Sequence, residues 1–173
     1  MADGKSTFAW DDPLLLDDQL TEEERMVRDM ARRFGEDRLM PVILEWNRHE
    51  DFDRDLMKEF GELGFLGGVL EGYGCPGLGH VAYGLLCREL ERIDTAFRSA
   101  VGVQSGLAMG AIHGYGSEEQ KQRFLPKMAT GEHIGCFGLT EPDHGSDPSG
   151  MKARAKKDGK GYRLTGNKIW ITN

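Results

Sequence analysis

The spacing of apolar residues changes once along this chain, near Gly131, and that change restricts the fold more than any other feature. Upstream, apolar positions recur at three and four residues, the period of a helix buried on one side. Downstream they alternate in short runs separated by glycine and by Asp158-Gly159, the pattern of strands and a hairpin. Helical and strand periods segregated in this order give an α+β chain, not a succession of βαβ units. We therefore expect a helical domain over residues 1–131 and the beginning of an antiparallel β domain over 132–173.

Local signals place the elements. Thr21-Glu22-Glu23-Glu24 is a capping box, followed at helical spacing by Met26, Val27, Met30, Ala31 and Phe34. Pro41 should kink or break that first helix. Asp53 opens a second, with Leu56, Met57, Phe60 and Leu63 as its apolar stripe, before a Gly-rich loop over 64–79. A third helix is expected over 80–94 and a restart at Thr95. The run 95–116 then carries Gly102, Gly106, Gly110 and Gly114 at four-residue steps, a flat strip on one face. Ser117-Glu118-Glu119-Gln120 is a second capping box, with helix to about Met128. In the β region we expect strands over 133–140, 151–156 and 162–172, with Gly166 interrupting the last. Two or three strands without a covering layer leave apolar faces bare. The chain therefore reads as part of a longer one, or one whose sheet a partner completes.

Composition excludes several classes of function. There are 22 Lys+Arg against 29 Asp+Glu, a net charge of −7, which argues against nucleic acid as a partner. No uncharged run is long enough to span a membrane, since 95–116 is broken by Arg98 and by glycines. The opening Met-Ala-Asp-Gly-Lys-Ser-Thr has neither an apolar core nor an Arg-rich amphipathic pattern, so a cytoplasmic protein is expected. Cys75, Cys87 and Cys136 form no C-x-x-C pair, and His49, His80, His113, His133 and His144 show no metal-ligand spacing. Reduced thiols and no metal site are expected.

Gly72-Tyr73-Gly74-Cys75-Pro76-Gly77 matches G-x-G-x-x-G, but no strand precedes it and the helix after it runs into another helix. A tight loop between helices is the better reading. The stretch from Phe137 through Leu139, Thr140 and Glu141-Pro142 to Gly145-Ser146-Asp147 is more informative. Its end offers loop amides and a hydroxyl, the means by which a loop holds phosphate oxygens without positive charge; an Asx-type turn is the alternative. Trp170 and Thr172 stand two apart, on one face of the expected strand, and core packing of Trp170 is the simpler reading of the indole.

Taken together, Leu139-Thr140-Glu141-Pro142-x-x-Gly145-Ser146-Asp147 and Lys168-x-Trp170-Ile171-Thr172-Asn173, one hairpin apart, resemble the acyl-CoA dehydrogenase family. Further stretches are similar to its glutaryl-CoA dehydrogenase branch. They are Phe8 to Pro13, Tyr83-Gly84-Leu85-Leu86-Cys87-Arg88-Glu89-Leu90-Glu91-Arg92, Phe97-Arg98-Ser99, Val103-Gln104-Ser105 and Tyr115 to Gln120. The family has an N-terminal helical domain, a middle β domain and a C-terminal helical bundle. On that resemblance the first is complete here, the second begun and the third absent.

The resemblance implies FAD as cofactor. Phe137, Leu139 and Thr140 would lie beside the flavin, with amides and the Thr140 hydroxyl at its polar edge. Gly145 and Ser146 would contact cofactor or the CoA part, and Trp170, Ile171 and Thr172 would cover the opposite side. Donors at that edge stabilise the negative charge of reduced flavin. Arg98 and Ser99 match residues of the glutaryl branch that bind the distal carboxylate of the acyl chain, with Glu91 tuning the pocket and Ser146 also on substrate. Arg98 is the one formally charged side chain over 95–116, so a packed helix requires a partner for it, Glu91 or Asp94. A structural ion pair with Glu91 is the alternative role.

The implied reaction of the full enzyme is oxidation and decarboxylation of glutaryl-CoA to crotonyl-CoA in lysine and tryptophan degradation. Electron-transfer flavoprotein would take the electrons, and the full-length enzyme would be a homotetramer. The family's glutamate base lies in the absent bundle, so no residue here is assigned as catalytic, and this chain alone is expected to be inactive. Two other readings stay open: a dehydrogenase of another short acyl-CoA, and a non-catalytic helical interaction module.

Overall fold

A computed structural model describes Phe8 and residues 10–173 of the chain. The expectation that the opening seven residues carry no targeting signal falls outside them. Helices α1 (Glu22–Phe34), α2 (Ile43–His49), α3 (Leu56–Glu62), α4 (His80–Ile93), α5 (Thr95–Gly102), α6 (Gly110–Tyr115) and α7 (Glu118–Ala129) precede one hairpin, β1 (Arg154–Asp158) and β2 (Gly161–Thr165). Both capping boxes form. Glu24 N–H donates to Thr21 Oγ1 at 3.2 Å while Thr21 N–H donates to Glu24 Oε2 at 2.8 Å, and Ser117 and Gln120 repeat the exchange at 3.2 and 2.8 Å. Pro41 has no N–H to continue the ladder. The chain answers with a wide π turn over Gly35–Leu39, in which Met40 N–H reaches back to Gly35 O at 2.9 Å, before α2 begins.

The apolar stripe of α1 is only partly as expected. Val27 and Ala31 are buried and Phe34 packs against the core, but Met26 is 61% exposed and Met30 also faces out. The buried face is rotated because it includes Arg28, whose guanidinium is held by Asp17 at 2.7 Å and Asp29 at 2.8 Å. Leu56, Met57 and Phe60 of α3 are buried as expected. Close backbone approach fixes this layer. A Cβ on Gly61 would lie 2.4 Å from the Thr130 carbonyl carbon, and one on Gly131, at φ +73°, would lie 2.1 Å from Met57 O.

The 72–77 glycine motif is a loop between helices, with positive φ at Gly72, Tyr73, Gly74 and Gly77 and no strand before it. Asp94 caps α5 through Ala96 N–H at 2.8 Å, as the restart requires. Residues Val103–Met109 then widen into a second π segment, which turns Gln104 and Ser105 into the interior. The glycine strip looks outward: a Cβ on Gly106 or Gly114 would meet nothing within 4 Å.

The β region is smaller than expected. The hairpin forms in the register Arg154↔Thr165 to Asp158↔Gly161 around Gly159, and every residue of both strands is exposed. Residues 133–140 carry no ladder: among the described residues the returning chain meets them with the single backbone bond from Ile169 N–H to Thr140 O at 3.1 Å, and Leu139 N–H turns back to Phe137 O at 3.0 Å. The expected 162–172 strand ends at Thr165. Gly166, at φ +152°, lies so close to Ala153 that a Cβ would sit 2.5 Å from the Ala153 Cβ, and the ladder stops there because the Ala153 and Lys152 N–H groups donate to Glu141 instead. Trp170 and Thr172 therefore do not share a strand face. Trp170 is also not a core residue: it is 87% exposed, at φ +57°.

Helices α1 and α4 are joined by one buried carboxylate. Glu89 is 1% exposed and accepts from Arg32 at 3.1 and 3.2 Å and from Arg88 at 2.9 and 3.2 Å, with Arg92 at 3.3 Å. Burial pushes its pKa up, but the hydrogen bonds from Arg32 and Arg88 outweigh that and hold it below the ordinary range. Glu89→Gln keeps the shape and removes the charge. We expect a loss of about 2 kcal/mol, the scale of hydrogen bonds to charged groups, read as a drop in Tm of about 4–8 °C. An unchanged melt would show that the three arginines are indifferent to the carboxylate.

Candidate functional site

The two sequence motifs meet at Glu141. Its carboxylate is buried and accepts from the Lys152 N–H at 2.7 Å, the Ala153 N–H at 2.9 Å and Lys168 Nζ at 3.0 Å. Lys168 Nζ also donates to Leu139 O at 2.8 Å, and Ile169 N–H to Thr140 O at 3.1 Å. The residue before Pro142 thus holds both ends of the hairpin and brings the Lys168–Asn173 segment alongside 137–140. The two backbone N–H groups and then Lys168 lower the Glu141 pKa to about 2. The sequence marks Glu141-Pro142 only as a turn and does not show what the carboxylate holds. The signal available was a lysine two residues before Trp170.

Next to this junction lies an open cavity of about 500 Å³, lined by Phe52, Met57, Ser99, Ala100, Ile134 and Thr172 among others. Ser99 and Thr172, expected on substrate and cofactor respectively, face this one space. A neighbouring depression of about 650 Å³ shares Arg54 and Ile134 with it and includes Phe137. Asn173 Nδ2 donates to Ala100 O and to Gly135 O, both at 3.2 Å, and so fastens the end of the motif to α5.

The remaining expected site residues are placed as follows. The Thr140 N–H and hydroxyl and the Thr172 hydroxyl make no hydrogen bond among the described residues, so they are available as donors. The Leu139 N–H is instead used within its own turn, donating to Phe137 O at 3.0 Å. Gly145 and Ser146 lie exposed in the bend after the Glu141↔His144 bridge, and a Cβ on Gly145 would meet nothing within 4 Å. Ile171 is half-buried, and Trp170 projects into solvent. Of these donors only Thr172 lines the cavity, and hydroxyls with an unspent amide are the donor types that suit the electron-rich edge of a flavin.

Arg98 and Glu91 do not line the 500 Å³ cavity. Arg98 Nε donates to Glu91 Oε2 at 2.6 Å, and Thr95 Oγ1 donates to Glu91 Oε1 at 2.8 Å. The Arg98 guanidinium is 40% exposed, its pKa raised first by the hydrogen bond to Glu91, and the Glu91 pKa is lowered by Arg98 and then Thr95. The partner that a packed helix required is thus Glu91, not Asp94. The three cysteines are free. Among the described residues there is no cluster of side chains able to hold a metal ion and no helix long and apolar enough to cross a membrane.

Residues 21–132 match the family model of the acyl-CoA dehydrogenase N-terminal domain, and residues 136–173 match that of the acyl-CoA dehydrogenase middle domain. A crystal structure of a glutaryl-CoA dehydrogenase from Mycobacterium smegmatis in complex with FADH2 is similar with a TM-score of 0.88 at 50% identity, over 90% of this chain and 40% of that one. Another structure of glutaryl-CoA dehydrogenase from Mycobacterium smegmatis gives 0.90 at 52% identity, over 92% and 42%. Mitochondrial isovaleryl-CoA dehydrogenase of Pongo abelii is 38% identical over 157 residues, 89% of this chain and 37% of its own length. The chain therefore spans 37% to 42% of these relatives.

The depressed Glu141 pKa has a measurable consequence. A carboxyl that titrates lower in the folded state than in the unfolded chain stabilises the fold fully above the unfolded value and loses that contribution as pH falls through the folded one. The window here runs from about pH 4.5 down to about 2. Glu141→Gln should melt below the parent at neutral pH, and the gap should close as both are melted at successively lower pH within that window. A gap that is constant with pH would show that the charge of Glu141 contributes nothing.

Proposed function

The chain belongs to the acyl-CoA dehydrogenase family, and from that premise we propose that it forms the helical domain and part of the β domain of an FAD-dependent acyl-CoA dehydrogenase that acts on glutaryl-CoA. The carrying observation is the junction at Glu141 and Lys168, which sets Thr140 and the Thr172 segment side by side while Thr172 and Ser99 share one cavity.

In this reading the Thr140 N–H and hydroxyl and the Thr172 hydroxyl hold the polar edge of the flavin. Phe137, Leu139, Trp170 and Ile171 give it apolar cover, and Gly145 and Ser146 supply contacts toward phosphate or CoA. FAD, when bound, supplies the hydride acceptor. Donors held at that edge would stabilise the charge that develops there. No residue of this chain is assigned the removal of the α-proton. Loss of carbon dioxide to give crotonyl-CoA, delivery of electrons to an electron-transfer flavoprotein and assembly as a homotetramer belong to the same proposal.

Glutaryl-CoA is favoured because Arg98 offers a permanent planar cation next to Ser99, suited to a distal carboxylate. Identity of 50–52% to the glutaryl-CoA dehydrogenase structures, against 38% to the isovaleryl enzyme, supports the same choice. One observation favours a second reading, in which another short acyl-CoA is the substrate. Glu91 already neutralises Arg98 at 2.6 Å, so an incoming carboxylate must share or displace it.

Two variants test these roles in the protein that carries the activity. Thr172→Val removes a donor without changing side-chain shape and should weaken FAD binding or slow flavin reduction. The cost should be below the ~3 kcal/mol typical of the strongest single donors, since Thr140 shares the work. Flavin content and reduction rate identical to the parent would remove Thr172 from the site. Arg98→Gln should lower kcat/KM for glutaryl-CoA about 100-fold relative to butyryl-CoA, because only the dicarboxylate loses a charge-assisted partner. Equal losses for both substrates, with a lower Tm, would assign the Arg98–Glu91 pair to structure and favour the uncharged substrate.

A further inference from the structure

The side-chain amide of Gln104 is fully buried and every one of its polar atoms is used across elements. Nε2 donates to Met128 O at 2.9 Å, at the end of α7, and to His133 O at 2.8 Å, while Oε1 accepts from Gly135 N–H at 2.7 Å. Engaging the carbonyl of residue 133 and the N–H of residue 135 is what a neighbouring parallel strand would do. Residues 133–140 have no such strand among the described residues, and one side chain from the π segment stands in for it. On its other edge Gly135 O accepts from Asn173 Nδ2 at 3.2 Å. Both backbone groups of Gly135 are therefore held by side-chain amides. The approach also depends on glycine, since a Cβ there would lie 2.6 Å from both Ala108 Cβ and Met128 Cε.

We propose that Gln104 is a positioning residue: through Gly135 it fixes the extended segment that carries Phe137 and Thr140, and so sets the Thr140 donors in place for the flavin. The proposal rests on the flavin reading above. Ile134, between the two clamped residues, lines both depressions, so the clamp also fixes their shared wall. Without the Gln104 amide the His133 carbonyl and the Gly135 N–H have no partner, whereas Met128 O keeps its bond from Gly131 N–H at 3.2 Å, and the segment is released instead of remaining in place unsatisfied.

The test compares Gln104→Met, which keeps the volume and removes all three hydrogen bonds, with Ser105→Ala. Ser105 is the next residue, also buried, but its hydroxyl accepts from Gly67 N–H at 2.9 Å and does not touch 133–135. Hydrogen exchange of the two bonded amides of this segment, Gly135 N–H (to Gln104) and His133 N–H (to Lys127 O at 2.9 Å), should speed up by about tenfold or more in Gln104→Met, while the amides of α4 keep the parent's protection. FAD titrated into the protein should bind about tenfold more weakly, the loss expected if the competent arrangement falls to about a tenth of the population. Ser105→Ala should change neither readout. Unchanged exchange of those two amides, unchanged FAD affinity, or an equal effect in Ser105→Ala would each overturn the proposal. Should Gln104→Met fail to fold, Gly135→Ala displaces the same segment from the other side and must give the same pair of changes. If the parent protein takes up no FAD, the flavin reading falls, and the exchange data alone decide whether Gln104 clamps the segment.

Discussion

The buried carboxylate of Glu141 is the constraint on which the second half of this structure depends. The hairpin it serves is exposed on every residue, so apolar burial contributes little to holding it. Two backbone N–H groups from the residues entering the hairpin and one ammonium from the residues leaving it converge on a single side chain. With those bonds in place the segments on either side of the hairpin must run together. A candidate site composed of residues more than thirty positions apart in sequence is thereby brought to one place.

The helical half is held by different means. Its core is conventional, with Phe34, Phe60 and Phe65 in mutual edge or tilted contact and Phe97 packed with Trp46 and Phe52. Glycines decide how closely the helices approach, at Gly61 and Gly131 where α3 meets the end of α7, and at Gly35, where a Cβ would lie 2.9 Å from Ile93 Cγ1. Two π segments occur where the chain needs an extra residue per turn. One relieves Pro41, and the other rotates Gln104 and Ser105 inward. Rigid helices with fixed polar residues on their inner faces give the extended segment something to register against.

The Arg98–Glu91 pair shows how a charged side chain is accommodated on a packed helix. A guanidinium on a packed helix needs a counter-charge, and Glu91, one turn before the helix break at Asp94, supplies it through a short bond reinforced by Thr95. A pair left partly exposed is also one whose cation can be shared with an arriving anion at modest cost, because solvent already screens it.

The sequence by itself determined the element types and their order. Capping boxes at Thr21 and Ser117, the break at Pro41, the restart after Asp94 and the hairpin at Asp158-Gly159 are all short-range signals, and each operates through bonds between residues only a few positions apart. The candidate residues Thr140, Ser99 and Thr172 were legible only as members of stretches that resemble the acyl-CoA dehydrogenase family. Only the tertiary structure decided which side of each element is buried, where strands stop and what joins the motifs. Met26 and Met30 face solvent because a paired Arg28 takes the inner position. Residues 133–140 carry no ladder because the returning chain reaches them with a single backbone bond, and the expected 162–172 strand ends at Thr165 because Glu141 takes the Lys152 and Ala153 N–H groups that a longer ladder would use. Glu141, Lys168 and Gln104 stand in recognisable stretches, but what they join is not readable there, since their partners lie 11 to 31 positions away and a hydrogen bond over such a distance leaves no periodicity.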